Sequence, residues 1–480
     1  MRGRADVNRP PPTAIPDTSR GGRPASGTPD ARSKDMSEEA GRLPKEPVDR
    51  VTRPLARFLR IEAAAGGALL LCTALTLLLS NSPWSAPFLA IWETQAGLHL
   101  GAIEFSRSLK HWINDGLMTL FFFVAALELK REMVLGELRS PRMAALSIAA
   151  ASGGMIVPAA LFLLVVGDGD SAHGWGAVTA TDTAFVIGCL AILGTRIPHS
   201  LRLFLLSLAI FDDIGAILVI AIGYGSALDP AALGLAGLGV GVVTGIARAG
   251  VRNLPAYFAL GGAIWLALDV SGVHPTLAGV LLGLMTPARS WVSDHRLRSI
   301  LGRVTAYPPG EHWSGDTADR HDLRRAGVAT REALSPIERL EILLHPWIAF
   351  LIMPLFALAN AGLPLSAEGI DAPLTLAILL AFVFGKPVGV VTFSVVAVTL
   401  RLAILPAELS WGLLAAGSLL TGIGFTMALF IAELAFDPSL IGAAKLGILA
   451  ASIVSAGGGL LALTWLTSAR RQTALTDKRT

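Results

Sequence analysis

The chain has 480 residues, 53% of them hydrophobic and only 16% charged, with a net charge of +3. Soluble chains carry about 25% charged residues, and this much apolar surface exceeds what one water-facing core can hide. The composition therefore points to a membrane protein. Long alternating strand segments are missing from the sequence, which argues for helices rather than a β-barrel. The small, unevenly placed charge speaks for topology and against nucleic-acid binding. Cys72 and Cys189 sit in apolar stretches without metal-ligand spacing, so no disulfide framework or thiolate site is expected.

Residues 1–60 are polar and rich in Pro, Arg and Ser, with no apolar stretch of the kind a cleavable signal peptide needs. They read as a disordered cytoplasmic tail, with Met36 as a candidate start. The membrane domain is expected over 61–467. A spanning helix needs about 20 apolar residues, and apolar runs fall near 61–80, 112–128, 143–166, 174–194, 202–224, 230–247, 254–269, 274–286, 344–364, 373–399, 411–433 and 441–467. The run at 274–286 is short for a full crossing and fits a partial or re-entrant helix. An all-α polytopic protein of about twelve transmembrane helices is expected.

Basic residues cluster in alternate loops: Lys130, Arg131, Arg139 and Arg142; Arg196 and Arg202; Arg248 and Arg252; then the arginines from Arg289 to Arg339; and Arg470, Arg471, Lys478 and Arg479 at the end. The opposite loops hold Asp168, Asp170, Asp229, Glu368, Asp371, Glu433 and Asp437, with Arg107 and Lys110 as the exceptions. The positive-inside rule then places both termini, including the tail 468–480, in the cytoplasm. Residues 287–335 read as a polar cytoplasmic insertion with little fixed structure. It ends at a helix start: Ser335 as N-cap, Pro336 at the first helical position and Glu338 completing a capping box. Pro346 should kink that helix or loosen its backbone bonding.

Four ionisable residues stand where hydrocarbon is expected: Asp182 in VTATDTAFVIG, Asp212 and Asp213 in LSLAIFDDIGAILVI, and Lys386 in AFVFGKPVGVV. Each costs at least about 2.5–3.5 kcal/mol to insert. An internal salt bridge that only locks helix packing is one explanation. Ion binding is the other, because sodium is a hard cation that takes carboxylate, hydroxyl and carbonyl oxygens. Consecutive aspartates point about 100° apart around a helix, so one can face an ion while the other faces a countercharge, for which Lys386 is the candidate. A carboxyl withdrawn from water holds its proton more tightly, and a neighbouring carboxylate adds to that. Such a cluster titrates as a unit. If sodium binds only the deprotonated site, competition plus alternating access suffices for antiport.

Two helices read as broken. Thr181 and Thr183 flank Asp182, and Gly422 and Gly424 interrupt SLLTGIGFTMALF in the other half of the chain. Facing half-helix ends present partial charges that buried acids and bases can neutralise. For the glycines alone, close helix packing is the simpler explanation.

At these residues the chain resembles the NhaA-type sodium/proton antiporters. The similarity runs from about Ile61 to Thr467 through HWINDGLMTLFFFVAALELKRE, GGMIVPA, ATDTAF, LAIFDDIGAI, SGVHPTLAGV, LHPWIAFLIMPLFALANAG, GKPVG, GIGFTM and AKLGIL. The family's inverted-repeat fold with two broken helices crossing at the midplane is a known transporter architecture. The resemblance implies Asp212 and Asp213 as the essential pair, with Asp213 the direct sodium ligand and Lys386 partner of Asp212. It implies Asp182 with Thr181 as the motif at the first break, and Asp115 as a carboxylate near the periplasmic end of the second helix, where a helix-cap role is the alternative. Glu128, Arg131, Glu132, Glu341 and His345 match the cytoplasmic funnel linked to pH activation, where solvated helix ends are the alternative. His274 matches a histidine at the start of the short eighth helix, with packing as the alternative. One departure is Ile342, where family members can carry histidine after the glutamate. The tail and the 287–335 insertion have no recognised counterpart.

The expectation is thus a transporter, not an enzyme, needing no cofactor. It would sit in the bacterial inner membrane and exchange cytoplasmic sodium or lithium for external protons, electrogenically and under pH control. Its partners are those ions, the lipid bilayer and, compatible with the sequence, a second copy in a homodimer. A sodium-coupled solute symporter, a cation channel and a structural membrane protein are the rivals.

Overall fold

The computed structural model describes residues 62–477 apart from 101–102, 135, 137–140, 168, 226, 252, 307–317 and 364–370. The tail 1–60, Arg139, Asp168, Arg252, Glu368, Lys478 and Arg479 lie outside the described residues, as do the side chains of Asp170, Arg470 and Arg471. Helices α1 (Glu62–Ser80) and α2 (Ser85–Trp92) come first. Then follows an antiparallel hairpin of β1 (Gln95–Leu100) and β2 (Ile103–Ser108), with Gln95 opposite Ser108. That hairpin is an addition to the all-α expectation. It is too short and local to register in a chain dominated by apolar runs.

Among the described residues, eight helices are long and apolar enough to cross a membrane, or up to ten if each of two bent pairs is one crossing. They include α3 (Leu109–Val134), α6 (His199–Gly223), α7 (Pro230–Arg248), α8 (Leu254–Ser271), α12 (Pro336–Asn360) and α13 (Ala372–Thr399). The others are α4 (Pro141–Val166) and α16 (Pro438–Asp477). The bent pairs are a 3-10 helix (Asp170–Val178) with α5 (Thr183–Leu193), bent by 41°, and α14 (Trp411–Leu420) with α15 (Phe425–Ala435), bent by 53°. The short run becomes α9 (Leu277–Met285), too short to cross. Leu71, Leu78, Leu164, Ile222, Leu238 and Ile453 are exposed on these helices, as lipid-facing positions of a multi-pass membrane protein are.

The insertion carries two helices, α10 (Asp294–Thr305) and α11 (Ala318–Ala333), where little fixed structure was expected. Its high charge hides a helical period: Leu297, Ile300, Leu301 and Val304 fall on one face of α10. Ala326 and Ala329 are buried, and Arg339 of α12 pairs with Glu332 at 2.9 Å. The capping box at Ser335 and Glu338 forms as the sequence indicates.

Among the described residues, three of the long helices contain a π-turn: Trp112–Leu117 in α3, Ile348–Ile352 in α12 and Ala381–Gly385 in α13. The second follows Pro346, whose missing N–H loosens the backbone as expected. The third ends at Lys386. Such turns concentrate at functional sites because they re-aim side chains. Helices α4 and α13 pack backbone to backbone. A Cβ at Gly153 would strike the Gly389 carbonyl oxygen, and one at Gly389 would strike that of Gly153. This close crossing holds Lys386 at its depth.

Candidate ion-binding site

The two breaks lie against each other. Asp182 N–H donates to the Ile423 carbonyl at 2.7 Å, and Thr181 Oγ1 donates to the Thr421 carbonyl at 3.0 Å. Asp182 is the N-cap of α5, accepting from Phe185 N at 3.2 Å through Oδ1. Its Oδ2 accepts from Thr426 N at 3.0 Å and Thr426 Oγ1 at 2.5 Å, in the first turn of α15. One carboxylate therefore satisfies the positive N-terminal ends of both downstream half-helices. Thr426 was not anticipated from sequence, although its place two residues after Gly424 is where an N-terminal donor has to be.

Gly422 and Gly424 lie in tightly filled space. They sit at the break, and they are there because nothing larger fits. A Cβ on Gly422 would lie 2.6 Å from the Phe382 carbonyl oxygen and also strike Ser455, and one on Gly424 would strike the Phe382 ring.

Lys386 and Asp212 form an ion pair at 2.6 Å, with both side chains 1% exposed. Lys386 Nζ also donates to Thr181 Oγ1, which links α13 to the first break. The other oxygen of Asp212, Oδ1, is buried without a hydrogen-bond partner among the described residues. Asp213 is buried on α6 and accepts from Thr183 Oγ1 at 3.3 Å. Asp182, Asp212, Asp213, Thr181 and Lys386, far apart in sequence, thus converge on one polar cluster where α6, α13 and both breaks meet. Oxygen donors dominate it, which suits a hard cation, and a protonated carboxyl can replace that cation's charge.

At the arginine-rich end of the bundle, Arg131 pairs with Glu341 and, at 3.2 Å, with Glu132. His345 Nδ1 lies 3.8 Å from Glu128 Oε1. These five residues tie α3 to α12. His274 is not among them. It is buried at the opposite end of the bundle, with Nδ1 2.8 Å from Thr276 Oγ1 and Nε2 3.7 Å from Asp115. Asp115 lies in the π-turn of α3 rather than at a helix cap. Lys130 donates to the carbonyls of Leu284 and Thr286, both at 2.7 Å, and so closes the C-terminal end of α9.

The two basic exceptions at the opposite end are paired with acids. Arg107 lies 3.0 Å from Asp269, and Lys110 lies 2.8 Å from Glu433. Glu433 belongs to α15, not to a loop, and also meets Lys445 at 2.7 Å.

A family model described as Na+/H+ antiporter 1 matches residues 56–463. A Na(+)/H(+) antiporter NhaA of Rhizobium meliloti (strain 1021) is 67% identical over 437 residues, covering 91% of this chain and all of that one. Na(+)/H(+) antiporter NhaA 2 of Acidiphilium cryptum (strain JF-5) is 57% identical, over 88% of this chain and 95% of its own length. Its namesake from Vibrio vulnificus (strain CMCP6) is 53% identical, over 92% and 99%. With broken helices, buried carboxylates and lysine all in place, the chain belongs to the NhaA-type Na+/H+ antiporter family.

Proposed function

We propose that the sodium/proton exchange of this family runs here through Asp213 and Asp212, with Lys386 as the countercharge. The observation that carries the reading is the free buried Oδ1 of Asp212, on the residue next to Asp213, while Oδ2 is held by Lys386. A cation entering here finds two carboxylates on adjacent residues. A proton arriving at either one removes the charge that holds the cation. Lys386 keeps Asp212 from being an uncompensated buried anion once the cation has left. Asp182 and Thr181 hold the half-helices in register beneath the site. With Asp182, Asp212 and Lys386 each 1% exposed, the cluster suits a bare ion better than an organic solute.

The direction is outward for cytoplasmic sodium or lithium and inward for protons, across the bacterial inner membrane, with both termini cytoplasmic. More protons enter than sodium ions leave, so a membrane potential worth about 2.3 kcal/mol per charge per 100 mV drives the exchange. The Glu128, Arg131, Glu132, Glu341 and His345 cluster, with His274 at the other end, sets the pH dependence, and the chain assembles as a homodimer.

Everted membrane vesicles with a trapped pH indicator test this. Adding sodium or lithium is expected to dissipate an imposed proton gradient, and Asp213→Asn is expected to reduce the response to background. Sodium flux without proton movement would instead indicate a channel.

A further inference from the structure

The end of the bundle opposite the arginine-rich insertion carries a second cluster of ligand-type side chains. We propose that His111, Asp115 and Asp269 form a binding site for a divalent transition metal of the zinc class. His111 Nε2 and one oxygen from each carboxylate all lie within 4.8 Å of one another. The nitrogen is 3.1 Å from Asp115 Oδ2 and 3.8 Å from Asp269 Oδ1. Neither contact is a hydrogen bond, and Nε2 has no hydrogen-bond partner among the described residues. Tetrahedral zinc holds such donors at about 2.0–2.2 Å, so adjustments of roughly 1 Å bring all three onto one ion.

The remaining oxygens are already engaged from outside. Asp115 Oδ1 faces His274 Nε2 at 3.7 Å, and Asp269 Oδ2 is held by Arg107 at 3.0 Å. Asp269 thus has one oxygen fixed by Arg107 and the other turned toward His111, as outer-shell partners orient metal ligands, while the second oxygen of Asp115 lies near His274 without a hydrogen bond to it. Two carboxylates against one arginine leave the cluster a net negative charge when the histidines are neutral. The imidazole sets the metal class, since nitrogen donors favour zinc, copper or nickel over sodium or magnesium.

The framework is rigid. Trp112 of α3 stacks on Trp265 of α8, centroids 5.9 Å apart and 17° from parallel. Trp265 Nε1 donates to the Asp115 carbonyl at 3.2 Å, locking the π-turn of α3 to the helix that carries Asp269. Gly272 then takes a φ of 82°, a left-handed conformation that suits glycine, and turns the chain toward His274. A cavity of about 400 Å³, lined by His111, Asp115 and Asp269 and by Lys110, Asn114 and Glu433, reaches the cluster and leaves room for a water as fourth ligand.

The test uses the purified full chain in detergent, without a polyhistidine tag, titrated with zinc chloride against a chromophoric chelator. One zinc per chain is expected, with affinity at least tenfold weaker in both H111A and D269N. H199A and H295A, on histidines outside the cluster, should leave it unchanged. Melting temperatures without zinc show whether each variant is folded. D213N, which loses exchange on the function proposed above, should keep the zinc site, so the two ideas fail separately. Native protein that binds no stoichiometric zinc, or folded H111A and D269N that bind it as tightly as native, would overturn the assignment.

Discussion

Lys386 is the residue whose environment is most demanding. A buried ammonium is tolerated because Asp212 and Thr181 both meet it. Removing one partner of such a pair leaves an uncompensated charge, at a cost of about 3–5 kcal/mol. Lys386→Ala is therefore expected to lower the melting temperature in detergent and to shift the pH range over which sodium moves protons. A variant with native stability and a native pH profile would show that the pairing with Asp212 does nothing. The residues of this cluster could be read from the sequence because ionisable groups are conspicuous in apolar runs. Thr426 could not, and the bond of Thr183 to Asp213 could not, since a threonine in a membrane helix can equally bond its own backbone, as Thr73 does to Leu69. Only the fold shows which carboxylate each hydroxyl meets.

The breaks at Thr179 to Asp182 and at Thr421 to Gly424 expose backbone groups that a continuous helix would satisfy, and Asp182 takes up donors from both. The glycines permit the contact, because the Phe382 carbonyl and ring occupy the space where side chains would be. Gly422→Ala is expected to reduce both transport and melting temperature. Gly241→Ala on α7, with nothing within 4 Å of the added carbon, should leave transport intact and add up to about 1 kcal/mol of helix stability. Equal effects of the two substitutions on transport would contradict the packing argument. Spans and breaks were legible because apolar length and mid-span polar residues are local signals. The β1–β2 hairpin, the π-turns and the helices of the insertion were not. They depend on pairing, on backbone register and on a helical period masked by charge. His111 and Asp269 escaped for a related reason: each is an ordinary residue near a helix end, and only the stacking of α3 on α8 brings them together.

In the whole molecule, one cation and protons compete for a site buried between the two breaks on the function proposed here. If proton entry exceeds sodium exit, a potassium diffusion potential, inside negative, should accelerate sodium efflux from proteoliposomes, and collapsing it should slow exchange. Equal rates with and without the potential would mean electroneutral exchange, leaving the site in place but changing its stoichiometry.

The most direct measurement needs no membrane. Sodium is added to purified protein in weakly buffered detergent solution, and released protons are recorded. The account predicts saturable release, absent in Asp213→Asn. It also predicts an apparent sodium affinity that weakens by about tenfold per pH unit of acidification for each proton displaced. Sodium binding that releases no protons, at an affinity indifferent to pH, would contradict it.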